Sequence, residues 1–262
     1  MRFAAVILLL FTFPYSTLFS QNQDSTSISD FDRELISLGL ISDVSGEKTE
    51  KYPNGKTKYI GNYLHGKENG HWIWWYKNGK KYFDGYFRNG YKDSSWVYYN
   101  EKGKKWLDEN FIMNKKNGKW LEYYPNGNIK TSGFYILDKE DSVWTEYYPN
   151  GKKQSLINYN AGKKNGLTFQ WHPNGKLKRE GTYRSNKKEG KWTDYFNNGE
   201  KEAEGVFQND YMEGLYSEWD TKGRLLTEKV MKKDQVIEEK IYENGIYVKK
   251  VYYGKDQPVK ME

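Results

Sequence analysis

The sequence contains no cysteine, so disulfide bonds, thiol catalysis and thiolate metal sites are excluded. Apolar residues are also scarce: they make up 36% of the 262 residues, against about 45–50% in an ordinary globular domain. Such a composition is not expected to build a thick core between two layers. Half of the apolar fraction is aromatic, with 10 Trp, 24 Tyr and 12 Phe. We therefore expect a thin sheet whose aromatic rings cover one another.

Long hydrophobic runs are lacking except near the N-terminus. The segment from Phe3 to Phe13 is apolar apart from Thr12, follows a basic residue, and precedes a polar stretch in which Ser20 is small. This layout is typical of a secretory signal peptide, and a run of about eleven residues is too short to span a membrane. We predict cleavage after Ser20 and export to the periplasm, the cell surface or the medium. A buried N-terminal helix is the alternative.

Candidate catalytic and cofactor motifs are absent. The three histidines, His65, His71 and His172, lack the spacing of a metal site, and no glycine-rich nucleotide loop occurs. We expect no cofactor and no metal. The net charge of +7 is spread along the chain, which favours solubility. Nucleic acid is not an expected partner, because the chain is predicted to be exported.

Glycine recurs every 24 residues without a slip. The surrounding motif is Tyr-Pro-Asn-Gly-Lys, as in Tyr52 to Lys56, and it predicts a type I turn followed by a glycine bulge. The repeating glycines are Gly55, Gly79, Gly103, Gly127, Gly151, Gly175, Gly199 and Gly223.

A second turn recurs in the same register. Only Gly, Asn or Asp occupies it, and these residue types tolerate a positive φ. Its positions are Gly66, Gly90, Asn114, Asp138, Gly162, Asn186, Asp210 and Asp234. Two turns per repeat predict two strands per repeat. The fold class is therefore all-β: one elongated antiparallel sheet of about eight β-hairpin repeats of 24 residues, preceded by a short helix.

Aromatic residues form columns in the strands. One column includes Trp72, Trp96, Trp120, Trp144 and Trp192, and a second, three residues later, begins at Trp75. Three residues separate opposite faces of a regular strand. Either both faces carry aromatic rings, or a bulge brings the two columns to one face.

The repeats resemble MORN repeats in their bacterial variant form. The resemblance rests on units such as Gly118 to Gly127, followed by Gly133-Phe134-Tyr135, and covers about residues 50–234. Similar repeats occur in YwqK-type antitoxin family proteins, so the resemblance implies an immunity function as one alternative. Departures from the pattern include Asn100 to Gly103 in a turn, Glu109 and Ile157 in place of the strand glycine, and Thr168 in place of the tryptophan.

The domain prediction has four parts. Residues 1–20 are the signal peptide, and 21–48 are a linker with a short helix capped by Ser29 and stopped at Gly39. Residues 49–234 are the repeat array. Residues 235–262 are a C-terminal capping hairpin and tail, whose charged side chains would blunt an exposed strand edge.

An acidic column is the only arrangement that invites a catalytic interpretation. It contains Glu122, Glu146, Asp194 and Glu218, with Gln170 between. Paired-carboxylate catalysis requires two acids in different environments, whereas a repeated column gives similar ones. The proposed turn places Glu122 opposite Lys130 as a charge pair. We therefore predict that the protein is not an enzyme.

Two features suggest binding. The first is a dense group of aromatic residues that could grip a protein or stack on sugars: Trp72, Trp74, Trp75, Tyr76, Tyr82 and Phe83. The second is lysine beside both turns, which could attract an anionic glycan or lipid surface. These are Lys56, Lys80, Lys104, Lys152, Lys176 and Arg224 at one margin, and Lys67, Lys115, Lys139, Lys163 and Lys187 at the other. Structural ring stacking and solubility are the simpler explanations. The leading hypothesis is an exported scaffold for another protein, with an immunity protein or a glycan- or lipid-binding protein as alternatives.

Overall fold

The chain forms one open antiparallel sheet preceded by a short helix. The computed structural model describes residues 30–42, 44–253 and 258–261. The predicted signal peptide therefore lies outside the described residues, as does Ser29. Within the described ranges, no helix is long and apolar enough to cross a membrane.

The elements follow one another along the chain and pair in sequence order, each strand with the next. The helix is α1 (Asp30–Ser37), and the strands are β1 (Gly46–Lys51), β2 (Thr57–Leu64), β3 (Lys67–Trp75), β4 (Lys81–Arg88), β5 (Tyr91–Tyr99), β6 (Lys105–Ile112), β7 (Lys115–Lys116), β8 (Gly118–Tyr123), β9 (Ile129–Ile136), β10 (Lys139–Tyr147), β11 (Lys153–Asn160), β12 (Lys163–Trp171), β13 (Leu177–Arg184), β14 (Lys187–Tyr195), β15 (Lys201–Gln208), β16 (Tyr211–Trp219), β17 (Leu225–Lys232), β18 (Gln235–Glu243), β19 (Ile246–Tyr253) and β20 (Pro258–Met261). Strands β7 and β8 both pair with β6 and are separated at Asn117. The predicted all-β repeat sheet is confirmed.

The Tyr-Pro-Asn-Gly-Lys turns have the predicted geometry. The Gly55 N–H donates to the Tyr52 carbonyl at 2.9 Å, and the Tyr52 N–H donates to the Lys56 carbonyl at 2.8 Å. Gly55 has φ 80°, which an L side chain adopts only at a cost. The turn from Asn100 to Gly103, which departs in sequence, keeps the same two bonds. Asparagine therefore replaces tyrosine there without changing the backbone.

The second turn is a two-residue hairpin of type I′. Both of its central residues have positive φ, for example 51° at His65 and 76° at Gly66, and this matches the twist of the flanking strands. Positive φ occurs at all eight positions predicted from the sequence. Where the second residue is Asn or Asp, its side chain also holds the preceding repeat: the Lys188 N–H donates to Asp210 Oδ1 at 2.7 Å.

The tryptophan column is packed across the strand glycines. Trp72 pairs with Gly61 on one side and Gly85 on the other, and its side chain is 2% exposed. A Cβ placed on Gly61 would lie 2.0 Å from the indole. The ring of Phe87 fills the space between Trp72 and Trp96, with centroids 5.8 Å and 4.9 Å away. Neighbouring repeats therefore bury each other's indoles.

Where the strand glycine is missing, the contact changes. Ile157 pairs with Thr168, which stands in the tryptophan column, so a larger side chain faces a smaller one. Glu109 is also buried and has Lys116 Nζ at 3.7 Å. Its strand, β6, is the one whose partner is divided at Asn117. The Ile157 unit is thus regular in pairing, whereas the Glu109 unit is interrupted.

Both faces of the sheet carry aromatic rings. Trp72 and Trp75 are three residues apart in β3 and point to opposite faces. In the second column, the Tyr123 hydroxyl donates to Asp108 at 2.8 Å. Leu107 pairs with Tyr98 and faces the same way as the tryptophans. The next residue, Asp108, therefore faces the other way, and Tyr123 lies with it. Bulges occur beside the second column, but they do not bring the two columns together. We call the side bearing Trp72 the tryptophan face and the other the opposite face.

Side chains tie successive type I turns together. The Tyr52 hydroxyl donates to the Trp75 carbonyl at 2.7 Å, and the Asn54 amide donates to the Lys77 carbonyl at 3.0 Å. His172 takes the place of the tyrosine in its repeat and lies 2.8 Å from the Tyr195 carbonyl. The Tyr and Asn of the motif therefore hold the next repeat in register.

The ends of the array differ from its repeats. The Gly39 N–H donates to the Ile36 carbonyl with φ 68° at Gly39, so the helix stops where the sequence predicted. Asp32 lies 3.5 Å from His65 at the first type I′ turn. Strands β18 and β19 form the expected C-terminal hairpin. The capping role of both ends remains a prediction.

Candidate functional site

The six aromatic residues proposed for binding differ in exposure. Trp72 is buried, whereas Tyr82 is 39% exposed. The other four are half-buried. Trp74 stacks on Tyr59 and Phe83, with ring centroids 4.8 Å and 5.7 Å away. Trp72 therefore serves packing, and the binding role of the other five remains a prediction.

Most lysines beside the type I turns are engaged in the fold. The ammonium groups of Lys56 and Lys152 donate to carbonyls of the next turn, both at 2.7 Å. Lys104 and Lys176 make the same kind of bond. These contacts favour a structural role for this margin over the binding of an anionic surface. The lysines that follow the type I′ turns are exposed.

A single row of paired residues crosses the tryptophan face. The first four residues of the row are aromatic, and after Leu107 the row consists mainly of polar side chains. The row is Tyr59, Trp74, Phe83, Tyr98, Leu107, Glu122, Thr131, Glu146, Ser155, Gln170, Arg179, Asp194, Ala203, Glu218 and Thr227. The acidic column noted in the sequence is the second half of this row.

The acids of the row make local partnerships. Lys130 Nζ lies 2.7 Å from Glu122, so the predicted charge pair forms, although a bulge places Thr131 rather than Lys130 directly opposite Glu122. Ser155 donates to Glu146 at 2.9 Å. Arg179 donates to Asp194 through Nε and Nη2. These contacts are charge pairs and hydrogen bonds of the kind that stabilise neighbouring strands.

Glu218 has the best-defined environment in the row. It accepts from the Tyr216 hydroxyl at 2.8 Å, from Thr227 at 3.1 Å and from Lys229 at 3.1 Å. Burial alone would raise the pKa of Glu218, but the Tyr216 hydroxyl, Lys229 and Thr227 outweigh it and lower that pKa. A carboxylate held in its ionised form is not suited to act as a general acid.

Neither the histidines nor the acids assemble a metal site within the described residues. His71 Nε2 lies 2.5 Å from Asp84 Oδ1, and Lys81 Nζ lies 2.7 Å from Asp84 Oδ2. Burial would raise the pKa of Asp84, but His71 and Lys81 together lower it. This cluster is a surface ion pair on the opposite face.

The opposite face carries an exposed apolar patch that the sequence analysis missed. Exposed fractions reach 60% at Met113 and 51% at Leu137. Ile112 follows Phe111, whose ring packs toward Trp96 on the tryptophan face, so Ile112 points to the opposite face. Strand alternation gives the same direction for Phe134, Ile136 and Val143, and Met113 and Leu137 are the tips of the hairpins that follow Ile112 and Ile136. We define the apolar patch as Ile112, Met113, Phe134, Ile136, Leu137 and Val143.

Backbone strain accompanies the exposed tips of the apolar patch. Met113 and Leu137 have φ 50° and 47°, a region that costs an ordinary side chain roughly 1–2 kcal/mol. Equivalent positions hold Asn89, Ser185 and Asn209. The signal was present in the sequence as bulky apolar residues at turn tips where other repeats have small or polar ones.

Comparison with known proteins gives a family but no close relative. No curated protein matches the chain significantly. Solved structures that match include the crystal structures of TcdB2-TccC3, with 11% identity and a TM-score of 0.18 over 92% of this chain and 15% of that chain, and of TcdB2-TccC3-Cdc42, with 10% identity and a TM-score of 0.18 over 81% and 17%. The Photorhabdus luminescens Tc holotoxin pore carrying a TccC3 mutation matches with 12% identity and a TM-score of 0.20 over 91% and 14%. The chain thus spans less than a fifth of the length of these structures, and TM-scores this low carry no inference.

The family described as MORN repeat variant matches six segments: residues 45–65, 68–89, 116–136, 140–161, 164–185 and 188–209. The stretch between the second and third segments contains Asn100 and Glu109, two of the departures noted in the sequence. Each matched segment spans one turn-to-turn hairpin of the sheet described above. The chain is therefore a MORN repeat protein of the variant type.

Proposed function

We propose that the chain is a non-enzymatic scaffold, exported to the cell envelope, that binds another protein through the opposite face of its sheet. The observation that carries this proposal is the apolar patch. Soluble proteins rarely leave large contiguous apolar surface in water without an interaction that covers it. Repeat sheets of this kind are binding scaffolds, and the patch gives this one a defined contact surface.

The chemistry around the apolar patch describes the partner. Lys115 and Lys139 follow the two hairpin tips and are exposed. A complementary surface would offer an apolar hollow with acidic residues at its rim. The type I′ turn imposes a positive φ at every such tip, so bulky apolar residues at Met113 and Leu137 are kept at a cost to the fold, which supports a role in binding.

The absence of catalysis is supported by the acids of the cross-sheet row. Asp194 pairs with Arg179, and Glu218 is held ionised by Tyr216 and Lys229. Acid–base catalysis by two carboxylates requires one of them to be held protonated. A screen for glycosidase and esterase activity that returned turnover would contradict this part of the proposal.

Export is supported by the signal-like layout before Ser20. Expression with a C-terminal tag, followed by cell fractionation and determination of the mature N-terminus by mass spectrometry, tests it directly. A mature chain beginning at Gln21 in the envelope or medium is expected. A full-length chain in the cytoplasm would contradict it.

Partner binding is tested by a double variant, Met113→Asn with Leu137→Asn. Asparagine tolerates a positive φ, so the fold should keep or slightly gain stability while the apolar tips are lost. Cross-linking in the native envelope followed by affinity capture should recover a protein with the wild-type chain and lose it with the double variant. Identification of the captured protein as a toxin would favour the immunity alternative.

The matched control is Ala161→Asn with Ser185→Asn, which makes the same change at two other type I′ tips. This control should capture the same partner as the wild type. The proposal is wrong if the wild type and the Met113/Leu137 double variant capture identical proteins, or if neither captures any.

A further inference from the structure

The tryptophan face contains a trough that lies along β15. Two hollows of about 370 and 230 Å³ adjoin there and share Arg179, Asp194, Ala203 and Tyr216 as lining residues. This trough lies on the other side of the sheet from the apolar patch, so its function is separate from the docking of a protein there.

Two residues of one repeat leave space for the trough. Ala203 occupies a position that holds Phe83, Leu107 or Arg179 in some repeats and the smaller Thr131, Ser155 or Thr227 in others. Tyr216 replaces the usual tryptophan and covers its strand glycine less closely. A Cβ on Gly205 would lie 2.9 Å from the Tyr216 ring, whereas the indoles elsewhere would lie 2.0–2.4 Å from such an atom. The floor of the trough is therefore lower than in repeats that carry an indole and a large side chain at these two positions.

The walls of the trough are polar but nearly balanced in charge. On one side Arg179 pairs with Asp194 through two hydrogen bonds. On the other side Glu218 accepts from Tyr216 and Lys229. Each carboxylate keeps lone pairs that these bonds leave available. Since the charges are paired, the trough favours neither a strong anion nor a strong cation, and it still offers several hydrogen-bonding groups.

Aromatic side chains stand at both ends of the trough. Phe196 lines the end near the type I turns and is half-buried. At the other end the Lys188 ammonium lies 4.8 Å from the Trp192 ring centroid. Burial lowers the pKa of Lys188. Flat apolar rings beside planar polar groups form a site for a ligand that has both C–H faces and hydroxyl groups.

We propose that this trough binds a neutral oligosaccharide, with sugar hydroxyls on Arg179, Asp194 and Glu218 and a sugar face against Phe196. An extended peptide fits the same space less well. β15 is paired on both sides, with β14 and β16, so its main chain has no free edge to which a peptide strand could bond. The hydrogen-bonding groups named above are all side chains.

The test is isothermal titration calorimetry of the full chain with cellotetraose and chitotetraose, two straight and uncharged oligosaccharides. Wild type should bind at least one of them saturably. Ala203→Phe should fill the trough and weaken binding by roughly tenfold or more. The fold accepts phenylalanine at this position, since Phe83 is its equivalent.

The matched control is Val206→Phe, which places the same side chain on the same strand but on the opposite face. Phe134 is the equivalent residue there, and binding should equal that of the wild type. Circular dichroism of all three proteins verifies that they are folded.

Three results would overturn the saccharide assignment. In the first, the wild type binds neither sugar at millimolar concentration. In the second, Ala203→Phe binds as well as the wild type. In the third, a tetraglutamine peptide binds in the trough while both sugars do not. None of these results bears on the apolar patch, whose variants leave β15 unchanged.

Discussion

The indole of Trp72 lies directly over the backbone of Gly61, eleven residues earlier in the chain. A Cβ at residue 61 would sit 2.0, 2.3 and 2.5 Å from three atoms of the ring. The same relationship joins Gly85 to Trp96, Gly133 to Trp144 and Gly181 to Trp192. The strand glycine of the repeat is thus required by the tryptophan of the following strand rather than by its own φ.

Gly61→Ala should therefore lower the free energy of unfolding by about 1–3 kcal/mol, as overpacking of a close contact does. Gly205→Ala, where the facing ring is Tyr216 at 2.9 Å, should cost less. Urea unfolding followed by tryptophan fluorescence measures both. Equal costs for the two substitutions would show that the ring contact is not the cause.

The pair formed by Ile157 and Thr168 predicts a compensating exchange. Gly181→Ile should be strongly destabilising while Trp192 is present. It should cost less when Trp192→Thr removes the ring, because the new side chain then occupies the space of the indole as Ile157 does. A double-mutant cycle should show a coupling of at least about 1 kcal/mol. If Gly181→Ile costs the same in both backgrounds, the explanation is wrong.

The hydroxyl bonds between successive turns should make a measurable contribution. Tyr124→Phe removes the bond from the Tyr124 hydroxyl to the Tyr147 carbonyl, which is 2.7 Å long, and should cost about 1 kcal/mol. His172→Tyr should be nearly neutral, because a tyrosine hydroxyl makes this bond in other repeats. Tyr82→Phe, at an exposed ring, is the control and should change little. Urea midpoints that do not separate Tyr124→Phe from Tyr82→Phe would contradict this role.

Stability should fall in acid partly through Glu218. The bonds from Tyr216, Lys229 and Thr227 outweigh burial and lower its pKa below the ordinary value of 4.5. Its contribution is therefore present above about pH 4.5 and is lost as the pH falls through the lower folded-state pKa. Glu218→Gln should flatten this part of the curve of unfolding free energy against pH. The same slope in both proteins between neutral pH and about pH 3 would refute the assignment.

The period and the turns could be predicted from the sequence because each depends on a local backbone requirement. Gly55 and Gly66 mark positive φ, and a strict spacing of such residues leaves room only for two strands. The positions that accept Asn or Asp instead of Gly follow the same rule, as Asp210 shows. Fold class therefore followed from local chemistry.

The faces and the candidate sites could not be predicted in the same way. A bulge adjoins the pair formed by Gly61 and Trp72. The spacing of eleven residues therefore does not show that they are opposite each other until the strand register is known. The apolar patch combines side chains from two hairpin tips and three strands. The trough depends on the small side chain of Ala203 and on a tyrosine ring at Tyr216 where most repeats have an indole. Neither stands out in the sequence until the repeats are compared in three dimensions.

The tethers between turns bear on how such a chain changes in evolution. Tyr52 and Asn54 contact only the next turn, and in the described part of the chain the strands pair with their sequence neighbours, apart from β8, which pairs with β6 beside the short β7. Duplication or loss of a gene segment encoding 24 residues would restore the same contacts between the repeats that become neighbours. The molecule can thus gain or lose length in fixed steps, shifting the distance between its two terminal regions without a new kind of contact.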